Sequence, residues 1–308
     1  MKEILVVGHQ NPDTDSIASA LSYAHLLREM GMDAKAVALG DVSEETQFAL
    51  DRFGFDAPEI IERAGGLCEK IALVDHNEFQ QSVEDIGDLE IYSVVDHHKI
   101  GNFQTATALY YRAEPLGCTC SIIAKLYREK GFDIPRDMAG LMLSAIISDT
   151  LLFASPTATK EDEEIANDLS KIADIDINEY GMDLLRAGAD VSKKSALEIL
   201  EGDSKTYEFE DYSFRVGQVN VVDLNDVLAR KEEIIETMED VIVEEGYTTY
   251  LLVVTDILES NSIGLIRGSE AEEIAEIFNS RLEGHQIKMD GIVSRKKQVV
   301  PPITERFS

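Results

Sequence analysis

The stretch GHQNPDTDS, residues 8–16, sets His9, Asp13 and Asp15 close together directly after the apolar run ILVV. Three more groups of similar chemistry follow. Asp75 closes IALVD, the run DHH spans 96–98 after IYSVV, and Asp149 closes MLSAIISD. Imidazole mixed with carboxylate suits Mn²⁺, Fe²⁺ or Zn²⁺ better than Ca²⁺, which prefers oxygen alone. So many ligands can hold two ions, with one carboxylate bridging them. Each residue alone has a plainer reading. An Asp after a strand is commonly a helix N-cap, and Asp15 or Ser16 could cap the helix that follows. His98 could be a satisfied core histidine. Four clusters at the ends of apolar segments favour a metal centre over four coincidences, because ligands of open α/β sheets gather beyond the carboxyl ends of the strands.

A second constellation is cationic. SRKKQ, 294–298, gathers Arg295, Lys296 and Lys297 in a chain with 28 Lys and Arg against 59 Asp and Glu, a net charge of −31. A surface of ordinary solvated charges would scatter basic residues singly among acidic ones. Arg grips phosphate oxygens in a fork and Lys neutralises them as a point charge, so the knot fits a small, highly charged phosphate ligand. The acidic balance repels a polyphosphate backbone and disfavours nucleic-acid binding. Of the three cysteines, Cys118 and Cys120 form CTC, but no second pair exists to complete a thiolate site. Sparse, odd-numbered cysteines read as reduced and packed.

The elements that must position these groups follow from pattern. At about 150 residues per domain, 308 residues suggest two domains. The first part alternates: a strand at 3–8, a helix at 16–31, a strand at 34–39, and a helix at 43–54 capped by Ser43. Strands at 70–75 and 91–96 and helices at 119–131 and 136–150 come next. This alternation predicts an α/β fold with a doubly wound, mostly parallel sheet. A helical stretch covers 161–186, and RAGADVSKKS, 186–195, reads as a linker. Strands at 212–222 and 248–257, a long helix at 224–246 and another at 269–282 predict a smaller C-terminal α/β domain. No apolar run is long enough for a membrane span, and MKEILVVGHQ lacks the pattern of a signal peptide, so a cytoplasmic protein without membrane partners is expected.

The segments HQNPDTDS, VDHNE, VVDHH and SAIISDT resemble the four metal-binding motifs of the DHH phosphoesterase superfamily. SRKKQ narrows the resemblance to the family II, manganese-dependent inorganic pyrophosphatases, and all five motifs stand in the family's order. The resemblance implies a catalytic DHH domain over residues 1–188 and a DHHA2-type substrate-binding domain over 189–308. It puts the active site in the cleft between them, with AGADVS, 187–192, as the hinge. It implies hydrolysis of pyrophosphate to two orthophosphates by a two-metal mechanism with a metal-bridging hydroxide as nucleophile. One manganese site would be His9, Asp13 and Asp75. The other would be Asp15, Asp75, His97 and Asp149, with Asp75 shared. Co²⁺ or Mg²⁺ would be substitutes, and Mg²⁺ would arrive with the substrate. His98, Lys205, Arg295 and Lys296 would contact the phosphates, and the family's short members are homodimers. Asp96 is expected to fix the tautomer of His97, and His76 to be structural.

Two rivals compete with this expectation. Another DHH enzyme, a phosphodiesterase of short oligonucleotides or cyclic dinucleotides, would use the same metals, but it would carry a GGGH-type motif that this chain lacks. A non-catalytic acidic scaffold would have a broken ligand set, and the set here is intact.

Overall fold

ILVV, in β1 (Ile4–Gln10), and IALV, in β4 (Lys70–Val74), are continuous apolar runs rather than alternating ones. That pattern belongs to strands covered on both faces. The computed structural model, which describes residues 3–68 and 70–308, buries them so: Val6, Val7, Leu73 and Val74 are fully excluded from solvent. Each such side chain contributes about 1.5–3 kcal/mol of hydrophobic stabilisation.

The chain divides into two units, one up to Gly188 and one from Ala189. In the first, β1 and β4 are the middle strands of a six-stranded parallel sheet, completed by β2 (Ala34–Leu39), β3 (Glu59–Ile60), β5 (Glu90–Asp96) and β6 (Tyr110–Ala113). The order β3-β2-β1-β4-β5-β6 reverses direction between β1 and β4. A crevice opens at such a switch point beyond the strand ends, which is where ligands bind in this architecture. The helices are α1 (Thr14–Glu29), α2 (Glu44–Phe53), α3 (Thr119–Lys130), α4 (Arg136–Thr150), α5 (Lys160–Ala173) and α6 (Ile177–Ala189). Asp13, not Asp15 or Ser16, caps α1, accepting the Ser16 N–H at 2.9 Å. Close approach of β1 to α1 needs Gly8, where a Cβ would lie 2.8 Å from the Ser16 carbonyl oxygen.

The second unit holds a five-stranded mixed sheet in the order β11-β10-β9-β8-β7. Its strands are β7 (Ser204–Glu208), β8 (Ser213–Val221), β9 (Thr249–Asp256), β10 (Asn261–Gly268) and β11 (Gln286–Met289). Only β8 and β9 run parallel. The central β9 feeds a core on each face: Tyr250, Leu252 and Val254 to one, Leu251 and Val253 to the other. Helices α7 (Ala196–Glu201), α8 (Asn225–Leu228), α9 (Lys231–Glu245), α10 (Ala271–Ile277) and α11 (Val300–Phe307) complete it.

Four boundaries differ from the sequence pattern. The helical stretch expected over 161–186 breaks between α5 and α6, where Asp174 takes φ +59°. The stretch expected to be a linker from 186 is helical through Ala189, so only 190–195 is irregular. The expected long helix at 224–246 breaks between α8 and α9, where the Arg230 guanidinium donates to the carbonyl of Lys194 at 2.6 Å. The helix expected to reach 282 ends at Ile277, because Asn279 adopts φ +51° and turns the chain. No helix among the described residues is long and apolar enough to cross a membrane.

Candidate metal centre

The ends of β1, β4, β5 and α4 bring the six expected ligands into one cluster. His9, Asp13 and Asp75 place ligand atoms within 4.8 Å of one another, and so do Asp15, His97 and Asp149. Asp75 stands between the two groups. Its Oδ2 lies 3.4 Å from His9 Nε2, and its Oδ1 lies 3.5 Å from His97 Nε2. Asp13 Oδ2 is 3.4 Å from the same His9 nitrogen, and Asp149 Oδ2 is 3.9 Å from that of His97. Asp75 takes this pose just past β4 at φ +59°, a left-handed conformation that Asp tolerates better than most residues.

Backbone contacts fix both imidazoles in one tautomer. His9 Nδ1 is 2.8 Å from the carbonyl of Gln10, and His97 Nδ1 is 3.0 Å from that of Leu116. A carbonyl only accepts, so each Nδ1 carries the proton and each Nε2 faces the carboxylates, as a metal-ligating histidine requires. Asp75 Oδ2 is buried with no hydrogen-bond partner. An orphaned carboxylate oxygen opposite an imidazole Nε2 is a costly arrangement that a cation would satisfy. The donor set, oxygen and imidazole nitrogen, suits manganese.

The electrostatics agree. Burial pushes Asp149 well above the ordinary carboxylate range, and Asp15, Asp75 and Asp13 push it further. Burial lowers His9, but the Asp13 and Asp75 carboxylates facing its Nε2 outweigh it and carry the pKa up to about 11. His97 rises to about 9 against its own burial, chiefly through Asp75 and Asp15. So much clustered negative charge retains protons until cations replace them.

The buried Asp15 is held by three donors: Ser19 Oγ at 2.9 Å, and the N–H groups of Thr119 at 2.6 Å and Cys120 at 3.0 Å. The latter two open α3, so the positive end of its dipole faces this carboxylate. Thr119 also donates its hydroxyl to Asp75 Oδ1 at 3.0 Å. No sequence signal marks Thr119 for this role beyond its place at the start of a helix. Cys118 and Cys120 lie beside Asp15, but burial raises both thiols, Cys120 to about 11, so they remain protonated packing residues.

Asp96 does not fix His97. Its Oδ1 takes the N–H and the ring Nδ1 of His98, each at 3.0 Å, while the Leu116 carbonyl holds His97. His98 lies at the edge of the cluster, its side chain 52% exposed. The Asp96 hydrogen bond raises its pKa against partial burial. His76 is buried, with Nδ1 2.9 Å from the carbonyl of Val74, and it belongs to neither group of ligands.

Of the four expected phosphate contacts, His98 lies in the first unit, and Lys205, Arg295 and Lys296 lie in the second. Lys205, on β7, is exposed. SRKKQ forms a single π-helical turn, Arg295–Val299, and the three parts of the motif behave differently. Ser294 and Gln298 close the turn on itself: Ser294 Oγ accepts the Lys297 N–H, and Gln298 Oε1 accepts those of Val293 and Ser294. Arg295 is buried. Its guanidinium donates to the Asp203 carbonyl, to Asp203 Oδ1 at 2.7 Å and to the Val216 carbonyl at 3.4 Å. Lys296 and Lys297 are exposed. Gln218 anchors the turn to β8 by accepting the Arg295 N–H at 2.9 Å. Val216 is also the register partner of Lys205, which gathers the Lys205 and Arg295 positions on one stretch of sheet.

Comparison with known proteins matches this architecture in both units. The DHH family N-terminal domain covers residues 3–146 and the DHHA2 domain covers 182–306. The chain is 48% identical over 308 residues to a probable manganese-dependent inorganic pyrophosphatase of Shouchella clausii, covering 100% of this chain and 99% of the relative. It is 50% identical over 305 residues to one of Exiguobacterium, covering 99% of each. It also superposes on the crystal structure of a Methanococcus jannaschii protein assigned to the family II inorganic pyrophosphatases, with TM-score 0.67, 41% identity and 99% of each chain covered. With two family domains in sequence and relatives this similar along its whole length, the chain belongs to the manganese-dependent, family II inorganic pyrophosphatases.

Proposed function

We propose that this protein hydrolyses inorganic pyrophosphate to two orthophosphates, using two manganese ions per subunit. The observation that carries the reading is Asp75, one carboxylate oxygen turned to His9 and the other to His97. His9, Asp13 and Asp75 would hold one ion, and Asp15, Asp75, His97 and Asp149 the other. Bound in such a site, the ions supply Lewis acidity and lower the pKa of water towards neutrality.

The remaining work falls to the chain's own groups. His98, whose pKa the Asp96 hydrogen bond raises, donates a proton or hydrogen bond to a phosphate oxygen as charge builds on the leaving group. Lys205 and Lys296 neutralise phosphate charge. Arg295 adds positive charge beside them, although Asp203 already occupies part of its guanidinium. The metal ligands come from the first unit and these cations from the second, so the reaction requires both. Mg²⁺ enters with the substrate, and Co²⁺ or Mg²⁺ can replace manganese. The reading places the enzyme in the cytoplasm as a homodimer without nucleic-acid or membrane partners.

The test is phosphate release from pyrophosphate by metal-stripped protein with and without added Mn²⁺, run beside release of mononucleotide from a short oligonucleotide. Mn²⁺-dependent turnover of pyrophosphate alone is expected. Turnover of the oligonucleotide in preference would transfer the protein to the phosphodiesterase class.

A further inference from the structure

Glu45 is a carboxylate near the metal centre that neither ligates nor faces a cation. It lies in the first turn of α2, a helix already capped by Ser43, which accepts the Thr46 N–H at 3.1 Å. Its Oε1 accepts two hydroxyl hydrogen bonds, one from Thr14 Oγ1 at 2.7 Å and one from Ser148 Oγ. Both donors are chain neighbours of ligands. Thr14 stands between Asp13 and Asp15 at the start of α1, and Ser148 immediately precedes Asp149 near the end of α4. Thr14 is further held at 3.1 Å by Thr46 Oγ1.

The other carboxylate oxygen packs against Gly188. A Cβ at that position would lie 2.6 Å from Glu45 Oε2 and 2.9 Å from Glu45 Cβ. The glycine is the penultimate residue of α6. Glu45 is half-buried and a glycine is placed to admit its carboxylate, an arrangement that packing alone does not require.

We propose that Glu45 is a positioning residue for the metal centre: it ties Thr14 to Ser148 and so sets the distance from the α1 ligands, Asp13 and Asp15, to the α4 ligand, Asp149. The assignment rests on the two-ion reading above. Four carboxylates repel one another before metal binds, and a shared acceptor behind their backbones opposes that spread.

The experiment measures Mn²⁺ affinity of metal-stripped full-length protein by titration calorimetry, with kcat and KM for pyrophosphate and the melting temperature alongside. Glu45→Ala is expected to weaken Mn²⁺ binding about 10–100-fold, the range for losing a group that orients metal ligands. Excess Mn²⁺ is expected to restore most of its activity. Glu45→Gln keeps an Oε1 acceptor for both hydroxyls and is expected within about threefold of wild type. Gly188→Ala, which pushes on Glu45 while touching no ligand, is expected to shift affinity in the same direction as Glu45→Ala. It also decides the matter if Glu45→Ala fails to fold. Wild-type Mn²⁺ affinity in both Glu45→Ala and Gly188→Ala, with only a lowered melting temperature, overturns the proposal. A wild-type protein that binds Mn²⁺ yet leaves pyrophosphate intact would overturn the functional reading and leave this one standing.

Discussion

Asp96 gives a single oxygen, Oδ1, to both the main-chain N–H and the ring Nδ1 of His98. The neighbouring His97 takes its orientation from the Leu116 carbonyl, 19 residues away. Two adjacent histidines therefore have separate anchors, one charged and one neutral. The charged anchor suits a histidine that must hold a proton, and the neutral one suits a histidine that must offer a lone pair.

Asp96→Asn and His98→Gln should thus share a phenotype. Turnover of pyrophosphate is expected to fall about 10–100-fold in each, while elemental analysis returns the wild-type manganese content. Loss of a full metal equivalent in His98→Gln would show that the roles of the two histidines are reversed.

Thr119 should behave differently, because its hydroxyl reaches Asp75, the carboxylate proposed to bridge the two ions. Thr119→Val keeps the backbone N–H to Asp15 but removes the bond to Asp75. Mn²⁺ affinity is expected to drop about tenfold in Thr119→Val and to recover in Thr119→Ser. Asp75→Asn is expected to lose both metal and activity. Calorimetric titration of the metal-stripped variants separates these outcomes, and equal affinities for Val and Ser would remove the hydroxyl from the argument.

Arg295 is bonded through two guanidinium nitrogens to Asp203 and Val216, a geometry that an ammonium group cannot reproduce. Arg295→Lys is expected to cost about 1–3 kcal/mol of stability and to raise the KM for pyrophosphate. Metal content should stay at the wild-type level. A variant with normal KM and normal stability would mean that neither the pair nor the charge matters. Asp203→Asn, which keeps the carbonyl contact and a side-chain oxygen, should be milder in urea denaturation.

The fourth variant concerns acid stability. Glu114 is held by Arg112 and Lys125, each at 2.5 Å, and Lys125 also reaches Glu161 on α5. Burial works to raise the Glu114 pKa, but these bonds outweigh it and hold it below the ordinary carboxylate value. A depressed folded-state pKa means that the unfolded chain takes up the proton first. The stabilisation is therefore complete above about pH 5, past the unfolded-state value, and is lost as pH falls through the folded-state value. Because the pair is partly solvated and screened, Glu114→Gln is expected to cost only about 0.5–1 kcal/mol at pH 7. The gap to wild type should close in acid, as measured by urea denaturation of metal-free protein across this range.

The candidate ligands were legible in the sequence as a cluster because each sits in a short motif beside the strand or helix that aims it. His9 ends a run of apolar residues, and Asp75 follows one, so local pattern and local geometry coincide. Thr119 and Glu45 were not legible, since they act across 104 and 31 residues of chain on Asp15 and Thr14, and nothing next to them in sequence advertises it. The same cause hid the break before α9, which accompanies the tertiary contact of Arg230 with Lys194. Strand β10 escaped notice because Gly264 weakens its apolar pattern. That glycine is required by close packing, since a Cβ there would meet Ile287 at 2.7 Å. The basic knot was legible as a cluster, but its division into one buried arginine and two exposed lysines depends on Asp203, far away in sequence.

Every candidate metal ligand belongs to the unit that ends at Gly188. On the ribosome that unit emerges first. At about 5–20 residues per second, synthesis of the remainder takes roughly 6–24 s, and domains generally fold as units in the order they appear. The ion cluster can therefore be loaded on a nascent chain that still lacks the lysines and arginine of SRKKQ. A complete candidate ligand set thus exists on the growing chain before any residue of the second unit has been made.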